Sequence, residues 1–281
     1  MHLDRKRSAE QGSETVQILD AGAYLASSGQ RVDLYDSISL AKANTQTYPP
    51  ERAVALATPA QHTTLVTVTN ETTLAAAKKL SIAGHRPVAL NFASARHPGG
   101  GFLGGAQAQE ESLARSSALY ACLHENPMYA WHETHRDPFY TDYAIYSPDV
   151  PVFRDDNGIL LDEPYLCAFI TCPAVNARVA LDRDPNCGSA IRAAMAKRIE
   201  RVLAIASTHN HAHVILGAWG CGVFGNDPYE IATLFQAALR RPFQGAFSGV
   251  VFAVLDQSPE HRFITPFEQL FDDSSSRGLD T

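Results

Sequence analysis

The chain has little of what holds metals, crosses bilayers or coats nucleic acid. Its five cysteines, at 122, 167, 172, 187 and 221, are odd in number and lack the paired spacing of a structural zinc site. Reduced thiols are therefore expected, and with them a cytoplasmic location. No apolar run reaches the ~20 residues that span a bilayer, and no apolar segment follows the basic start MHLDRKRSAEQ. Neither a membrane partner nor a secretory signal is expected. Positive charge is also short: 23 Lys and Arg against 30 Asp and Glu leave a net charge of −7. That balance argues against a broad nucleic-acid footprint and direct DNA binding, though a local pocket for an anion stays open.

Several motifs are missing or incomplete. There is no G-x-x-x-x-G-K-[ST], so no P-loop. HETH at 132–135 fails the H-E-x-x-H spacing of helical zinc proteases. HNHAH at 209–213 offers three alternating imidazoles but no acidic ligand nearby, and a helix-to-strand loop accounts for it. No metal and no cofactor is expected.

What is present is an ordinary globular composition, with 45% hydrophobic and 19% charged residues over 281 positions. Such a chain buries roughly 75% of its unfolded surface. Residues 8–28 alternate at helical spacing and stop at a glycine, RVDLYD reads as a short strand, and SISLAKANTQ as a short helix. Residues 1–60 are too poor in apolar side chains for a core of their own, so they are expected to pack as an accessory segment on a main domain of 61–271. The tail 272–281, rich in Ser and Asp, is expected to be flexible.

From about 63 strands and helices alternate. TTLVTVT, RPVALNFAS, YLCAFITCPA, HVILGAWG and GVVFAVLD read as strands. ETTLAAAKKLSIAG, with Asn70 as its candidate cap, reads as a helix, as do QEESLARSSALYACLHE, SAIRAAMAKRIERVLAIASTH and PYEIATLFQAALRR. Residues 125–164 read as a long excursion over one face, with strand candidates YAIYS and VPVF. The order implies an α/β fold, a parallel or mixed sheet between helices.

Ligands in such sheets bind where the strands' C-terminal ends meet the following loops. Two glycine-rich segments fall there: NFASARHPGGGFLGG after one strand, GAWGCGVFGN after another. Bare N–H groups beside a helix N-terminus suit phosphate or diphosphate, while tight turns are the plain structural alternative. Directly behind the first segment stand Glu110 and Glu111. Adjacent helical residues point about 100° apart, at ~3.6 residues per turn, so the two carboxylates cannot share one direction. As first-turn acids they complement the helix dipole, and Glu111 could simply pair with Arg115 one turn on. With the glycine segment upstream, they could equally stand beside a bound anion. Cys221 lies in the second loop with no general base near it in sequence, so packing is the simpler role. Tyr and Phe residues at 139–146 are candidates for lining a ligand cleft, or for the core.

At these residues the sequence resembles the bacterial-type poly(ADP-ribose) glycohydrolases. NFASARHPGGGFLGGAQAQEE is similar to the family's signature, three glycines followed shortly by Gln-Glu-Glu, and GAWGCGVFGN to its diphosphate loop. The likeness covers roughly 60–270 and implies a macrodomain-like mixed sheet sandwiched between helices, with an N-terminal helical extension. It implies that Glu111 is catalytic, that Glu110 fixes ribose hydroxyls and that Gln109 contacts substrate. Gly99, Gly100 and Gly101 would shape the loop at the scissile bond, and Asn91 and Ser94 would contact ADP-ribose. Gly220, Cys221, Gly222 and Val223 would wrap the diphosphate, Phe224 would order the distal ribose, and Asn226 joins that loop. The implied substrates are poly(ADP-ribose) or ADP-ribose and ADP-ribosylated proteins. Two alternatives remain: a macrodomain that binds ADP-ribose without cutting it, and a hydrolase of protein-linked mono-ADP-ribose. A reader would not need Gln109-Glu110-Glu111.

Overall fold

The computed structural model describes residues 4–55 and 62–271. The predicted flexible tail lies outside the described residues. Helix α1 (Arg5–Ala21) ends sooner than its periodicity suggests. Gly22 takes a left-handed conformation (φ 65°) and returns its N–H to Ile18 O, closing the helix. The apolar residues beyond it form the hairpin β1 (Ala23–Leu25) and β2 (Arg31–Asp33) instead. After α2 (Tyr35–Ala43), β3 (Gln46–Tyr48) joins the edge of the main sheet, so the N-terminal segment contributes a strand as well as packing on the outside.

Next come β4 (Leu65–Thr69) and α3 (Thr73–Ile82). The cap of α3 is Thr72, whose Oγ1 accepts from Ala75 N at 2.9 Å. Asn70 is spent elsewhere: its side chain bonds both the N–H and the carbonyl of Asp256, at 2.9 and 3.0 Å. Strand β5 (Pro87–Phe92) leads through a glycine-rich loop and a single 3₁₀ turn (Phe102–Gly104) into α4 (Gln109–Ser116) and α5 (Leu119–Leu123). The expected single helix breaks at Ser117, which is extended and bridges Val152, while Ala118 N donates to Pro151 O at 3.0 Å.

Residues 125–164 are not an excursion. They supply α6 (Pro127–Thr134), all of β6 (Ala144–Arg154) and the start of β7 (Leu160–Cys172), a long antiparallel hairpin inside the sheet. The chain ends with α7 (Ala177–Arg183), α8 (Gly188–Thr208), β8 (His213–Leu216), α9 (Pro228–Arg240), β9 (Gly249–Ala253) and α10 (Thr265–Phe271).

The main sheet runs β3-β6-β7-β5-β8-β9-β4, parallel from β7 to β4 and antiparallel at β6 and β3. Alternate strand residues feed two cores, as the pleat requires. Val88 and Leu90 face α8, α9 and α10, whereas Ala89 faces the layer of α2, α3 and α5. Among the described residues no helix is long and apolar enough to cross a membrane.

The sheet also brings the two glycine segments together. β5 and β8 are parallel neighbours (Val88 opposite Val214), so the loops that follow them open on the same edge.

Candidate active site

Helix α4 is held against the end of β5 by its first residue. The Gln109 side chain imitates a strand: its Oε1 accepts from Phe92 N (2.9 Å) and its Nε2 donates to Leu90 O (2.8 Å) and Thr73 Oγ1 (3.1 Å). Its polar atoms are thus engaged by the protein, although the side chain lines the cleft. The helix start then presents the two carboxylates to different surroundings.

Glu110 is 3% exposed. Ser94 N donates to its Oε2 at 2.6 Å, and Asn91 Nδ2 approaches Oε1 at 3.4 Å while also donating to Thr171 Oγ1 at 3.1 Å. Asn91 is fully buried and stands behind Glu110, outside the cavity lining. Burial pushes the Glu110 pKa up to about 8; the Ser94 N–H pulls it down, and the charge of Glu111 adds to the rise. The folded protein therefore binds this proton more tightly than the unfolded chain. Its contribution to stability is complete below about 4.5 and is lost as pH rises to about 8. Denaturant unfolding across that window should show the wild type losing stability relative to Glu110→Gln, whose amide stays neutral and can keep an acceptor towards Ser94. Parallel curves would contradict this.

Glu111 turns outward. Gly101 N donates to its Oε1 at 3.0 Å, while Oε2 is buried with no hydrogen-bond partner among the described residues. One oxygen is anchored and the other is not. The anchoring loop passes so close that it must be bare: a Cβ on Gly100 (φ +60°) would overlap Glu111 Oε1 and lie 2.9 Å from its Cδ. Gly99 and Gly101 complete this turn beneath the carboxylates without lining the cavity.

The loop after β8 forms the facing wall. Gly220 has φ +73°, and a Cβ there would fall 2.6 Å from both Ala174 Cβ and Asn226 Nδ2. Asn226 is a brace: it donates to Val175 O (2.8 Å) and Gly220 O (3.1 Å). Asp227 then caps α9 through Tyr229 N and Glu230 N. Cys221 points inward, its thiol pKa raised by burial, so it is packed rather than reactive. Gly222 stands in open space, and Val223 is 78% exposed beside Phe224. Bare N–H groups in a loop that follows a strand end can hold an anion.

Between the walls lies a cavity of about 520 Å³. Ser94, Gln109, Glu110, Glu111, Gly220, Gly222, Val223 and Phe224 line it, as the sequence suggested. Arg96, His97 and Asn176 also line it and had been given no role, and Tyr140, one of the aromatic candidates at 139–146, lines it too, beside Glu110 and Glu111. Arg96 and His97 sit inside the quoted signature, but Tyr140 and Asn176 come from distant segments that only folding brings in. Tyr140 packs near Phe224 (ring centres 6.0 Å apart) on the carboxylate side. A second compartment of about 290 Å³ adjoins it, sharing Phe92, Ala108, Gln109, Ala218 and Gly222. Its far wall is Val254, Leu255 and Phe263, after β9, where the sequence reading placed nothing.

The histidines of HNHAH lie at the other end of β8. His209 bonds Tyr48 Oη and His211 bonds Tyr146 Oη, both at 2.8 Å, and His213 stacks on His85.

The family model of the microbial-type PARG catalytic domain matches residues 12–155. A crystal structure of poly(ADP-ribose) glycohydrolase from Thermomonospora curvata is similar at 48% identity and TM-score 0.90, covering 95% of this chain and 100% of that one. The same organism's enzyme bound to the inhibitor ADP-HPD matches at 47% identity and TM-score 0.87, over 94% and 99% of the two chains. The Deinococcus radiodurans poly(ADP-ribose) glycohydrolase in complex with ADP-ribose matches at 41% identity and TM-score 0.78, over 85% and 98%. No curated protein matches the chain.

Proposed function

This chain belongs to the microbial-type poly(ADP-ribose) glycohydrolases, and on that premise we propose a role for each part of its cleft. The protein is a poly(ADP-ribose) glycohydrolase, hydrolysing glycosidic bonds of the polymer. The terminal ADP-ribose unit lies along the strand ends. Its diphosphate sits on the N–H groups of Gly220, Gly222, Val223 and Phe224, the Cys221 N–H being spent on Ala218 O, and its distal ribose packs against Phe224. Its adenine enters the smaller apolar compartment beside Phe263.

The observation that carries the mechanism is the asymmetry of Glu111, with Oε1 held by Gly101 N and Oε2 unpartnered. Protonated Oε2 gives its proton to the departing ribose oxygen as the bond to the anomeric carbon breaks. Positive charge develops on that carbon and the sugar ring oxygen, and a substrate phosphate oxygen lies close enough to stabilise it. The Glu111 carboxylate then takes a proton from water, whose hydroxide adds to the anomeric carbon. Hydrolysis is complete and the acid is restored. Glycosidases with two separated carboxyl groups place them about 5 Å or more apart across the sugar. Neighbouring residues on one helix cannot, so Glu110 serves in binding. Its raised pKa keeps it largely protonated at neutral pH, able to give a hydrogen bond to a ribose hydroxyl.

Protein-attached polymer is the proposed cellular substrate. Incubating the purified chain with poly(ADP-ribose), and separately with protein carrying single ADP-ribose units, should release free ADP-ribose from the first. Binding of ADP-ribose without release from polymer would reduce the protein to a reader, and release from the second alone would make it a mono-ADP-ribose hydrolase.

A further inference from the structure

Helix α1 buries an unusual face. Its inward residues are Ser8, Gln11, Gly12, Thr15 and Ile18, only one of them a large apolar side chain. Helices normally dock by an apolar stripe. A polar stripe adds little hydrophobic burial, but its hydrogen bonds fix position and register.

Those bonds converge on the segment that carries the catalytic glutamate. Arg5 Nε donates to Gly104 O at 3.1 Å, and Gln107 Nε2 donates to Ser8 Oγ at 3.2 Å. At the far end of α4, Thr15 Oγ1 donates to Arg115 O at 2.6 Å. Arg154, the last residue of β6 and 1% exposed, donates from Nη1 to the same carbonyl and to Thr15 Oγ1 (2.6 Å). Its Nη2 donates to Glu14 Oε2 at 2.7 Å. Arg115 in turn reaches back to Ala106 O in the glycine loop.

Helix α4 has eight residues, too few to be stable alone, so outside contacts decide where it stands. Its C-terminal carbonyls need donors, and a cation there complements the dipole. Gln109 secures the first turn to β5, and the Arg154–Thr15 pair secures the last to β6 and α1. An 8-residue helix moving along its axis would carry Glu111 away from the Gly101 N–H.

We infer that Arg154 and Thr15 are positioning residues for Glu111, so that the N-terminal helix is part of the catalytic apparatus. The inference rests on the mechanism proposed above.

The test uses the full chain with Thr15→Val, which keeps the shape but loses the hydroxyl, Arg154→Lys, which keeps the charge but loses the fork, and Thr15→Ser as the rescue. Under conditions where all are folded, the first two should lower kcat on poly(ADP-ribose) about tenfold, the scale of a sub-ångström misplacement. KM and ADP-ribose affinity should stay within about twofold, the pattern of a loss confined to the transition state. Thr15→Ser should restore the rate. Amide hydrogen exchange over 100–112 should accelerate in both weakened variants, with β5 and β8 unchanged. Wild-type kcat in Thr15→Val, with unaltered exchange over 100–112, would overturn the inference and leave α1 a passive support. If the wild type itself released no ADP-ribose, the proposed activity would fall, and the exchange measurement would still decide whether α1 positions α4.

Discussion

Replacing Glu111 by glutamine is expected to abolish release of ADP-ribose from poly(ADP-ribose), lowering kcat by about 10³-fold, within the range for a positioned general acid and base. The size follows from having one group perform both proton transfers. Glutamine can still accept from Gly101 N through its carbonyl oxygen, so the loop should keep its shape. It cannot supply a proton to the leaving oxygen or take one from water. Affinity for ADP-ribose, measured by calorimetry, should therefore change little while turnover collapses. A variant that kept more than about a tenth of wild-type kcat would remove Glu111 from the acid/base role.

A substitution with no titratable group should be nearly as severe. In Gly100→Ala the new methyl would overlap Glu111 Oε1 and stand 3.1 Å from Glu110 Oε2. Glu110 has no room to yield, because it is buried against Asn91 and Ser94. The collision must move Glu111 off the Gly101 N–H or open the loop. Displacing the acid by about 1 Å costs on the order of 10²-fold in kcat. The left-handed backbone adds about 1–2 kcal/mol of destabilisation for a residue with a Cβ. Turnover of the folded variant, read beside its thermal unfolding, separates the two effects. Gly101→Ala is the comparison: its Cβ would meet Ala106 Cβ at 3.1 Å and stay 3.9 Å from Glu111 Oε1, so a much milder loss is expected.

These two predictions concern residues visible in the sequence, and much of the frame was visible with them. Most strand runs and helix periods read between 63 and 255 correspond to observed elements because burial on a sheet or helix face imposes those repeats, while the short helices α6 and α7 have no counterpart among them. The early end of α1 is set locally by the left-handed Gly22, but the failures at Ser117, 144–154 and Asn70 share one cause, long-range contact. Ser117 lies within a helical pattern, yet it breaks the helix because Pro151 and Val152 offer its neighbourhood a strand partner. The strand candidates YAIYS and VPVF read locally as parts of an excursion, yet they join into one internal strand because β3 and β7 flank them. Asn70 would cap a helix on local grounds, but Asp256 engages its amide.

The active site divides in the same way. Composition and local order determined that two bare loops would follow strands of the sheet and that one would lead into a helix starting with Gln109, Glu110 and Glu111; the resemblance pointed to that junction as the place of the chemistry. These are short-range facts, set by backbone freedom and by the direction in which a strand hands over to a helix. Folding alone decided that Glu110 would be buried and hold its proton while Glu111 keeps one oxygen free. It also decided that Tyr140, Asn176 and Phe263 would meet at the cleft and that Arg154 would reach the end of α4. Burial and charge depend on what surrounds a group in space. Most of those surroundings come from segments tens to more than a hundred residues away, which no local pattern can specify.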